Sequence, residues 1–236
     1  MIKVPDYITQ FANICKIHSK IYVVGGYIRD SLLNIPSNDI DLCGNIKIEQ
    51  LQNILVNSNF KIASSNKTFG TAKIKFENEV FEYTTFRKDI YTSNGKHTPK
   101  KVEFVTTLHE DAKRRDFTVN CIYYDILENK LIDPTNNGLL DIKNKVIQTV
   151  LNSDNTLKND GERILRMIKL KVKYGFNINP QTLKSAVKYQ NNINDLSKKT
   201  IEKFVIFTNK LTSKQKQQVK ELLNSFNANQ IASLIV

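Results

Sequence analysis

Strand-like and helix-like patterns occupy different parts of this chain, and that separation limits the folds open to it. Residues 71–77 and 80–86 alternate apolar and polar side chains around a turn at Asn78, which predicts an antiparallel hairpin. Beyond Asp141 the alternation fades, and apolar residues recur at helical spacing. We therefore expect an α+β architecture, with a mixed, mainly antiparallel sheet and flanking helices, followed by an all-helical part.

Further segments complete this framework. A β-branched run at 21–24 predicts a strand that Gly25 and Gly26 end, and the YIRDSLL that follows predicts a helix. The remaining predicted strands cover 39–43, 102–105 and 122–126. The remaining predicted helices begin near Asp6 and Ile48 and then cover 160–175, 180–190, 198–210 and 213–225. The segment from Asp89 to Lys100 is predicted to be a polar loop.

Positive charge is concentrated in the last third of the chain. Residues 151–236 carry 15 Lys/Arg against 6 Asp/Glu, a net charge of +9, whereas residues 1–150 contribute only +3. Such an excess attracts polyanions, either nucleic acid or an anionic membrane surface. A proteome rich in lysine and asparagine gives the same excess with no such partner.

The cysteines and the apolar segments indicate a compartment. Cys15, Cys43 and Cys121 are far apart and lack metal-binding spacing, which predicts free thiols in a reducing environment. No segment has the length and apolar character of a membrane span or a signal sequence. We expect a cytoplasmic protein with no membrane partner.

Asp39 and Asp41 form the first candidate site. Residues two apart in a strand point to the same face, so the two carboxylates would project together. A divalent cation relieves their repulsion, and Mg²⁺ prefers oxygen ligands that it shares with substrate phosphates. Two such ions support phosphoryl transfer by activating the attacking hydroxyl and neutralising the leaving oxygen. An isolated Asp-x-Asp is more often a solvated turn, so the interpretation depends on neighbouring residues.

Gly25 and Gly26 supply that context. A glycine turn between a strand and a helix can cradle a phosphate with its backbone N–H groups, and Arg29 one turn later could hold two phosphate oxygens. The alternatives are an ordinary turn and a surface ion pair between Arg29 and Asp30. Together with an acidic strand, the glycines and Arg29 predict a triphosphate site.

Arg114, Arg115 and Asp116 precede the strand predicted at 122–126. An arginine here could bind phosphate while Asp116 accepts hydrogen bonds from ribose hydroxyls. Two adjacent arginines also fit a solvated helix end, and the segment alone leaves both interpretations open.

Asp160, Arg163 and Arg166 recur every three residues in the helix predicted at 160–175. Helical geometry turns both arginines away from the apolar arc of that helix. A carboxylate beside a guanidinium complements an amine next to a ring-nitrogen acceptor, the edge that cytosine and adenine share. The alternative is a helix start with a favourable Asp and ordinary i,i+3 pairing.

Six ordered segments resemble the motifs of the class II tRNA nucleotidyltransferase and bacterial poly(A) polymerase family, and they extend over most of the chain. They are GGYIRD (25–30), DIDL (39–42), TTFRKD (84–89), HEDAKRRDFTVN (109–120), LIDPTNNGLLDI (131–142) and DGERILRMIK (160–169).

The resemblance implies a polymerase-β-like nucleotidyltransferase head at residues 1–145, a helical neck at 146–180 and a short basic helical RNA-binding region at 181–236. It also implies transfer of CMP and AMP from CTP and ATP to the 3′ end of tRNA, with Mg²⁺ as cofactor. Asp39 and Asp41 would be the catalytic and metal-binding residues. The nucleotide-binding residues would be Gly25, Gly26, Arg29, Arg115, Asp116, Asp160, Arg163 and Arg166. The loop from Asp89 to Pro99 resembles the family's flexible loop and would help the switch from C to A.

The chain departs from the family pattern in three places. Asn159 stands where the family usually has Glu, and Lys169 with Leu170 replaces an Arg–Phe pair. The family usually continues with helical body and tail regions, whereas residues 181–236 follow the predicted neck here. Two alternatives stay open: a poly(A) polymerase or an enzyme adding only the terminal A, and a catalytically idle RNA-binding protein on the same head.

Overall fold

The chain divides into two units in the computed structural model, which describes residues 2–91 and 99–236. The first unit comprises the described residues up to Asp89 together with Val102–Ile142, and the second comprises those of Ile90–Lys101 together with Lys143–Val236. Within the described residues, no helix combines the length and apolar character that crossing a membrane requires.

Most strands of the first unit form one large sheet. The chain up to Ile132 contains β1 (Ile21–Val24), β2 (Asp41–Gly44), β3 (Phe60–Asn66), β4 (Thr71–Phe76), β5 (Glu79–Thr85), β6 (Arg87–Ile90), β7 (Lys101–Phe104), β8 (Tyr123–Asp125) and β9 (Lys130–Ile132). Seven of them order as β3-β4-β5-β2-β1-β8-β9, and β6 pairs separately with β7. Within the seven-stranded sheet β2 and β5 run parallel, and the other neighbours are antiparallel. The predicted mixed, mainly antiparallel sheet is confirmed.

The two faces of this sheet have different surroundings. Its helices are α1 (Asp6–Cys15), α2 (Gly26–Leu32), α3 (Ile48–Leu55), α4 (Leu108–Ala112) and α5 (Gly138–Asn144). Phe11 of α1 is fully buried, with its ring 5.4 Å from that of Phe60 and 5.2 Å from that of Phe81. Since side chains alternate along a strand, Phe81 and Tyr83 face α1, while Glu82 points to the other side.

The face opposite α1 is the one on which the candidate site lies. Residues directly opposite each other in register share a face. Val24 is opposite Asp41 on one side and Tyr123 on the other, and Asp41 is opposite Glu82. A single row across four strands therefore carries these four side chains.

Helices dominate the second unit, as predicted. They are α6 (Ser153–Asn159), α7 (Glu162–Tyr174), α8 (Pro180–Lys188), α9 (Lys198–Asn209), α10 (Ser213–Ser225) and α11 (Asn229–Ala232). A parallel pair of two-residue strands, β10 (Val146–Ile147) and β11 (Asn177–Ile178), adds to the helices expected in the neck. α7 ends at Gly175, whose φ of 68° is left-handed and suits glycine.

Several elements differ from the sequence predictions. β3 was not predicted because FKIASSN hardly alternates, and it is an edge strand that pairs only with β4 in the described sheet. The short helices α4, α5 and α6 were not predicted either, because their apolar residues show no clear helical period. The predicted polar loop is shorter at its start, because Asp89 and Ile90 belong to β6. Residues 92–98 of that loop lie outside the described residues.

The three cysteines are buried free thiols in the described chain, as predicted. Burial raises the pKa of the Cys15 and Cys121 thiols to about 12. Neither thiol is therefore activated as a nucleophile.

Replacing Phe11 by Ala tests the packing of α1 on the sheet. Because Phe11 is fully buried against two aromatic rings, we expect Phe11→Ala to lower the free energy of unfolding by about 3–5 kcal/mol in urea denaturation. The control is Ile17→Ala, since Ile17 is 81% exposed, and we expect a change within about 0.5 kcal/mol. Equal losses in the two variants would contradict this packing.

Candidate active site

A glycine turn connects β1 to α2. Gly25 has φ 87° and ψ −138°, a conformation open essentially to glycine alone. A Cβ atom at Gly25 would lie 3.7 Å from Oδ2 of Asp41, and one at Gly26 would lie 3.4 Å from Nη2 of Arg29. A carboxylate and a guanidinium therefore flank two consecutive glycines.

The two aspartates of the candidate metal site differ in their surroundings. Asp41 is the first residue of β2 and is partly buried, whereas Asp39 is exposed and precedes the strand. The predicted strand at 39–43 therefore begins two residues later, at 41. Pairing nevertheless reaches residue 40, because its carbonyl accepts a hydrogen bond from Glu82 N at 3.4 Å. The structure brings Asp41 to the glycine turn, and the convergence of Asp39 on the same ion stays a prediction.

Glu82 is a third carboxylate beside this pair that we did not single out from the sequence. It is opposite Asp41 in the parallel pairing of β2 with β5, and its Oε1 lies 3.6 Å from Lys73 Nζ. The alternation in 80–86 could have indicated which face it occupies. In the part of the chain that the structure describes, no three His, Cys, Asp or Glu side chains are arranged to hold a metal. Two exposed or partly buried carboxylates suit Mg²⁺, which fills its other positions with water and phosphate oxygens.

Arg29 is held in a buried network. Its guanidinium donates from Nε at 2.9 Å and Nη2 at 2.6 Å to Oδ1 of Asp30, and from Nη1 at 2.5 Å to Oδ1 of Asn120. Arg29 and Asp30 are each more than 90% buried. The two residues do form an ion pair, but it is buried, so the alternative of a surface ion pair is wrong. Buried charges need such partners, because an uncompensated one costs several kcal/mol.

Asn120 links this network to Asp116. Its amide Nδ2 donates to Oδ1 of Asp116 at 3.3 Å, and the same oxygen accepts from Phe117 N at 2.8 Å. Asn120 lies in a 3-10 turn at Thr118–Asn120 and is buried. We did not select it from the sequence, although the HEDAKRRDFTVN segment contains it. One amide thus joins the arginine of α2 to the carboxylate predicted to contact ribose.

Arg114 and Arg115 share the carboxylate of Asp111. Arg114 Nε is 2.8 Å from Asp111 Oδ1, and Arg115 Nη2 is 3.1 Å from Oδ2. Burial alone would raise the pKa of the Asp111 carboxyl, but the two guanidinium groups outweigh it and hold that pKa well below its usual range. Each arginine side chain is only 14% exposed, so the solvated helix end considered from the sequence is wrong. Asp111 itself was missed, because a single acid at the end of a short helix carries no distinctive pattern.

Asp160 and Arg163 pair at the start of α7 in the second unit. Asp160 Oδ2 lies 3.4 Å from Arg163 Nε, and Asp160 Oδ1 accepts from Glu162 N at 2.9 Å. The Arg163 guanidinium also donates to Thr156 O at 3.3 Å and to the Tyr91 hydroxyl at 3.4 Å. The helix-start interpretation thus has support here, since the Asp160 carboxylate accepts from a first-turn amide.

The arginine row on α7 is not uniform. Arg163 is buried and Arg166 is exposed, so the expectation that both turn away from the packed side is wrong for Arg163. The reason is that Met167 and Leu170, which lie on either side of Arg163 around the helix, are buried as well and widen the packed side of α7. Its buried apolar residues are Ile164, Leu165, Met167, Ile168, Leu170 and Val172. Among the predicted site residues, the structure brings Gly25, Gly26, Arg29 and Asp41 together in the first unit, and Asp160 and Arg163 together in the second.

Lys169 occupies one of the positions that depart from the family pattern. Its ammonium lies 5.4 Å from the ring centroid of Phe204 and 4.9 Å from that of Phe207, both on α9. Burial lowers the pKa of Lys169, with Glu162 opposing the shift. The lysine therefore packs α7 on α9 through cation–π contacts.

Several curated and solved proteins to which this chain is similar are CCA-adding enzymes. The CCA-adding enzyme of Staphylococcus saprophyticus is 33% identical over 165 residues, which are 70% of this chain and 40% of that one. The solved CCA-adding enzyme of Bacillus stearothermophilus in complex with CTP has a TM-score of 0.76 at 24% identity, over 99% of this chain and 54% of that one. That of Thermotoga maritima, complexed with tRNA, has a TM-score of 0.72 at 20% identity, over 98% and 53%.

These likenesses establish the fold and the family. At such identities the solved structures show a shared polymerase-β-like head with its mixed sheet and flanking helices. The chain spans about 40% of the length of the curated relatives it matches. The model of the poly A polymerase head domain matches residues 21–148, which include the glycine turn, both aspartates and the Asp111 cluster. The chain belongs to the poly A polymerase head domain family.

Proposed function

We propose that this protein adds CMP and AMP, from CTP and ATP, to the 3′ end of tRNA without a template, releasing pyrophosphate. The observation that carries the proposal is the glycine turn with the Asp41 carboxylate on one side and the Arg29 guanidinium on the other. A carboxylate that would bind a metal ion and a guanidinium that would bind phosphate thus lie beside the same two glycines. The CCA-adding enzymes that this chain resembles, one solved with CTP and one with tRNA, support the same substrates.

Each predicted site residue of the head would have its own role in phosphoryl transfer. Asp39 and Asp41 would hold Mg²⁺, which supplies charge neutralisation and activation of the attacking 3′ hydroxyl. Arg29 and Arg115 would bind the triphosphate, since a fixed guanidinium matches phosphate oxygens without reorganising. Asp116 would accept from a ribose hydroxyl. Burial and pairing of these arginines support the assignment, because their positions are set before a nucleotide arrives.

Asp160 and Arg163 would select the base, and Arg166 one turn later would support nucleotide binding. The carboxylate accepts from the exocyclic amine of cytosine or adenine, and the guanidinium donates to the adjacent ring nitrogen. The 3.4 Å pairing of Asp160 with Arg163 supports the proposal, since acceptor and donor are already adjacent. Guanine and uracil invert this edge and would be rejected.

The basic helices would bind the RNA. We assign the head to residues 1–145, the neck to 146–180 and RNA binding to 181–236, where exposed lysines are frequent. Lysine contacts to phosphates provide most of the non-specific affinity for RNA and make it salt-dependent. Action on tRNA also agrees with the expected cytoplasmic location.

A nucleotide-omission assay tests the proposed function. The protein is incubated with Mg²⁺ and tRNA lacking its last three nucleotides, with each nucleoside triphosphate alone and then with CTP and ATP together. We expect two additions with CTP, three with both nucleotides, and none with GTP or UTP. Indifference to CTP would overturn CCA addition and favour an A-adding enzyme, and long adenosine tracts on generic RNA would favour a poly(A) polymerase.

Replacing Asp41 by Ala separates catalysis from RNA binding. We expect Asp41→Ala to lower the transfer rate by about three orders of magnitude or more, the scale of several kcal/mol of transition-state stabilisation. The Kd for tRNA at several salt concentrations should stay within about twofold, because phosphate contacts dominate that affinity. Glu79→Ala, at an exposed glutamate of β5 outside the proposed RNA-binding region, is the control and should keep both properties. An active Asp41→Ala variant would contradict the metal assignment, and a wild type that binds tRNA without transfer would favour the idle RNA-binding alternative.

Replacing Asp160 by Ala tests base selection against helix capping. We expect Asp160→Ala to increase misincorporation of G and U at least about tenfold, because the acceptor for the exocyclic amine is lost. The matched control is Asp154→Ala, which removes an aspartate that binds Lys188 and Ser185 at the start of α6. Its selection of C and A should be normal. Thermal unfolding is measured for both, and an Asp160→Ala variant that is unstable but still selective would favour the capping role.

A further inference from the structure

Tyr123 is a fully buried tyrosine on the same face of the sheet as Asp41. It begins β8 and lies opposite Val24 of β1, which in turn lies opposite Asp41. Nothing in its sequence context, IYYDI, distinguishes it from a core tyrosine. Its surroundings are unusual for a core tyrosine, because they include both members of a buried ion pair.

The hydroxyl of Tyr123 completes a triangle with Arg115 and Asp111. It accepts a hydrogen bond from Arg115 Nε at 2.8 Å and donates one to Asp111 Oδ2 at 2.7 Å. Arg115 Nη2 donates to the same carboxylate oxygen at 3.1 Å. The Arg115 guanidinium also lies 5.1 Å from the centroid of the Tyr123 ring. One side chain thus fixes the guanidinium through both its ring and its hydroxyl.

Asp111 cannot follow Arg115 if the guanidinium moves. Its other oxygen accepts from Arg114 Nε at 2.8 Å and from the backbone N–H of Arg87 at 3.2 Å. The carboxylate is fully buried and stays ionised because its pKa is well below the usual range. Tyr123 and Asp111 therefore hold the Arg115 guanidinium in a fixed position through their hydrogen bonds.

The triangle engages one edge of the Arg115 guanidinium and leaves the other edge available. A guanidinium has five N–H donors in a planar fork. Nε and Nη2 are used by Tyr123 and Asp111, while Nη1 donates to no acceptor in the described part of the chain. Phosphate oxygens accept well from such an edge, and its direction depends on how the inner edge is held.

We propose that Tyr123 is a positioning residue for triphosphate binding, whose hydroxyl sets the orientation of Arg115 so that its outer edge meets the phosphates. This inference rests on the proposed function, since it takes a nucleoside triphosphate as the ligand of Arg115. Tyr123 itself does not touch the nucleotide in this account.

Replacing Tyr123 by Phe tests the proposal, since it removes one oxygen and keeps the ring. We expect the KM for CTP and for ATP to rise about three- to tenfold with kcat changed less than about twofold, the scale of one hydrogen bond to a charged group. Titration without RNA should show the same loss of affinity for CTP and no loss for CMP. The Kd for tRNA should not change.

Tyr83→Phe is the matched control for that experiment. Tyr83 is also fully buried, and its hydroxyl donates to Ile46 O at 2.9 Å on the α1 side of the sheet. We expect it to leave the KM and the affinity for CTP unchanged, with thermal unfolding measured for both variants. Equal effects of the two variants, or a Tyr123→Phe loss that extends to CMP, would overturn the positioning role. A wild type that binds CTP but transfers nothing would count against the proposed function, while the CTP and CMP titrations still decide the role of Tyr123.

Discussion

The backbone conformation of Gly25 is the constraint on which the head site depends. Gly25 turns the chain from β1 into α2 with φ 87° and ψ −138°, a conformation that residues with a Cβ atom disfavour. The absent side chains leave room for Asp41 next to Gly25 and for Arg29 next to Gly26. Opposite charges thereby lie along one short stretch of backbone. That arrangement is what a metal-bound polyphosphate requires.

Buried charges around this turn are paired within the protein. Arg29 has Asp30 and Asn120, and Arg115 has Asp111 and Tyr123. Because unpaired buried ions are so costly, these pairs fix where each guanidinium lies. Preorganised donors need no rearrangement when charge develops on a substrate, which is the largest contribution that such a site makes to catalysis. The contacts that stabilise these buried charges would therefore also position the guanidinium groups in the proposed phosphate site.

Elements with a strong period were predicted from the sequence. A strand whose conformation depends on pairing with another strand was not. α10 was predicted with its observed bounds from helical spacing, and in the structure Thr212 and Gln215 form a capping box at its start. β3 was missed because its strand conformation comes from β4 rather than from its own pattern. Motif order predicted the aspartates, glycines and arginines of the head, and the structure brings Asp41 and Arg29 to Gly25 and Gly26, while the roles of these residues stay predictions. Asp111, Asn120 and Tyr123 were not selected from the sequence. They contact residues distant in sequence, and such contacts leave no local pattern.

The most direct measurement of the central claim is the location of a bound divalent ion. Crystals of the protein grown with Mn²⁺ and a non-hydrolysable CTP analogue would give anomalous scattering that identifies each ion. The account predicts a peak about 2.2 Å from carboxylate oxygens of both Asp39 and Asp41 and in contact with the triphosphate beside Gly25 and Gly26. A peak bound elsewhere, or the two carboxylates directed to different surfaces with the nucleotide present, would contradict it.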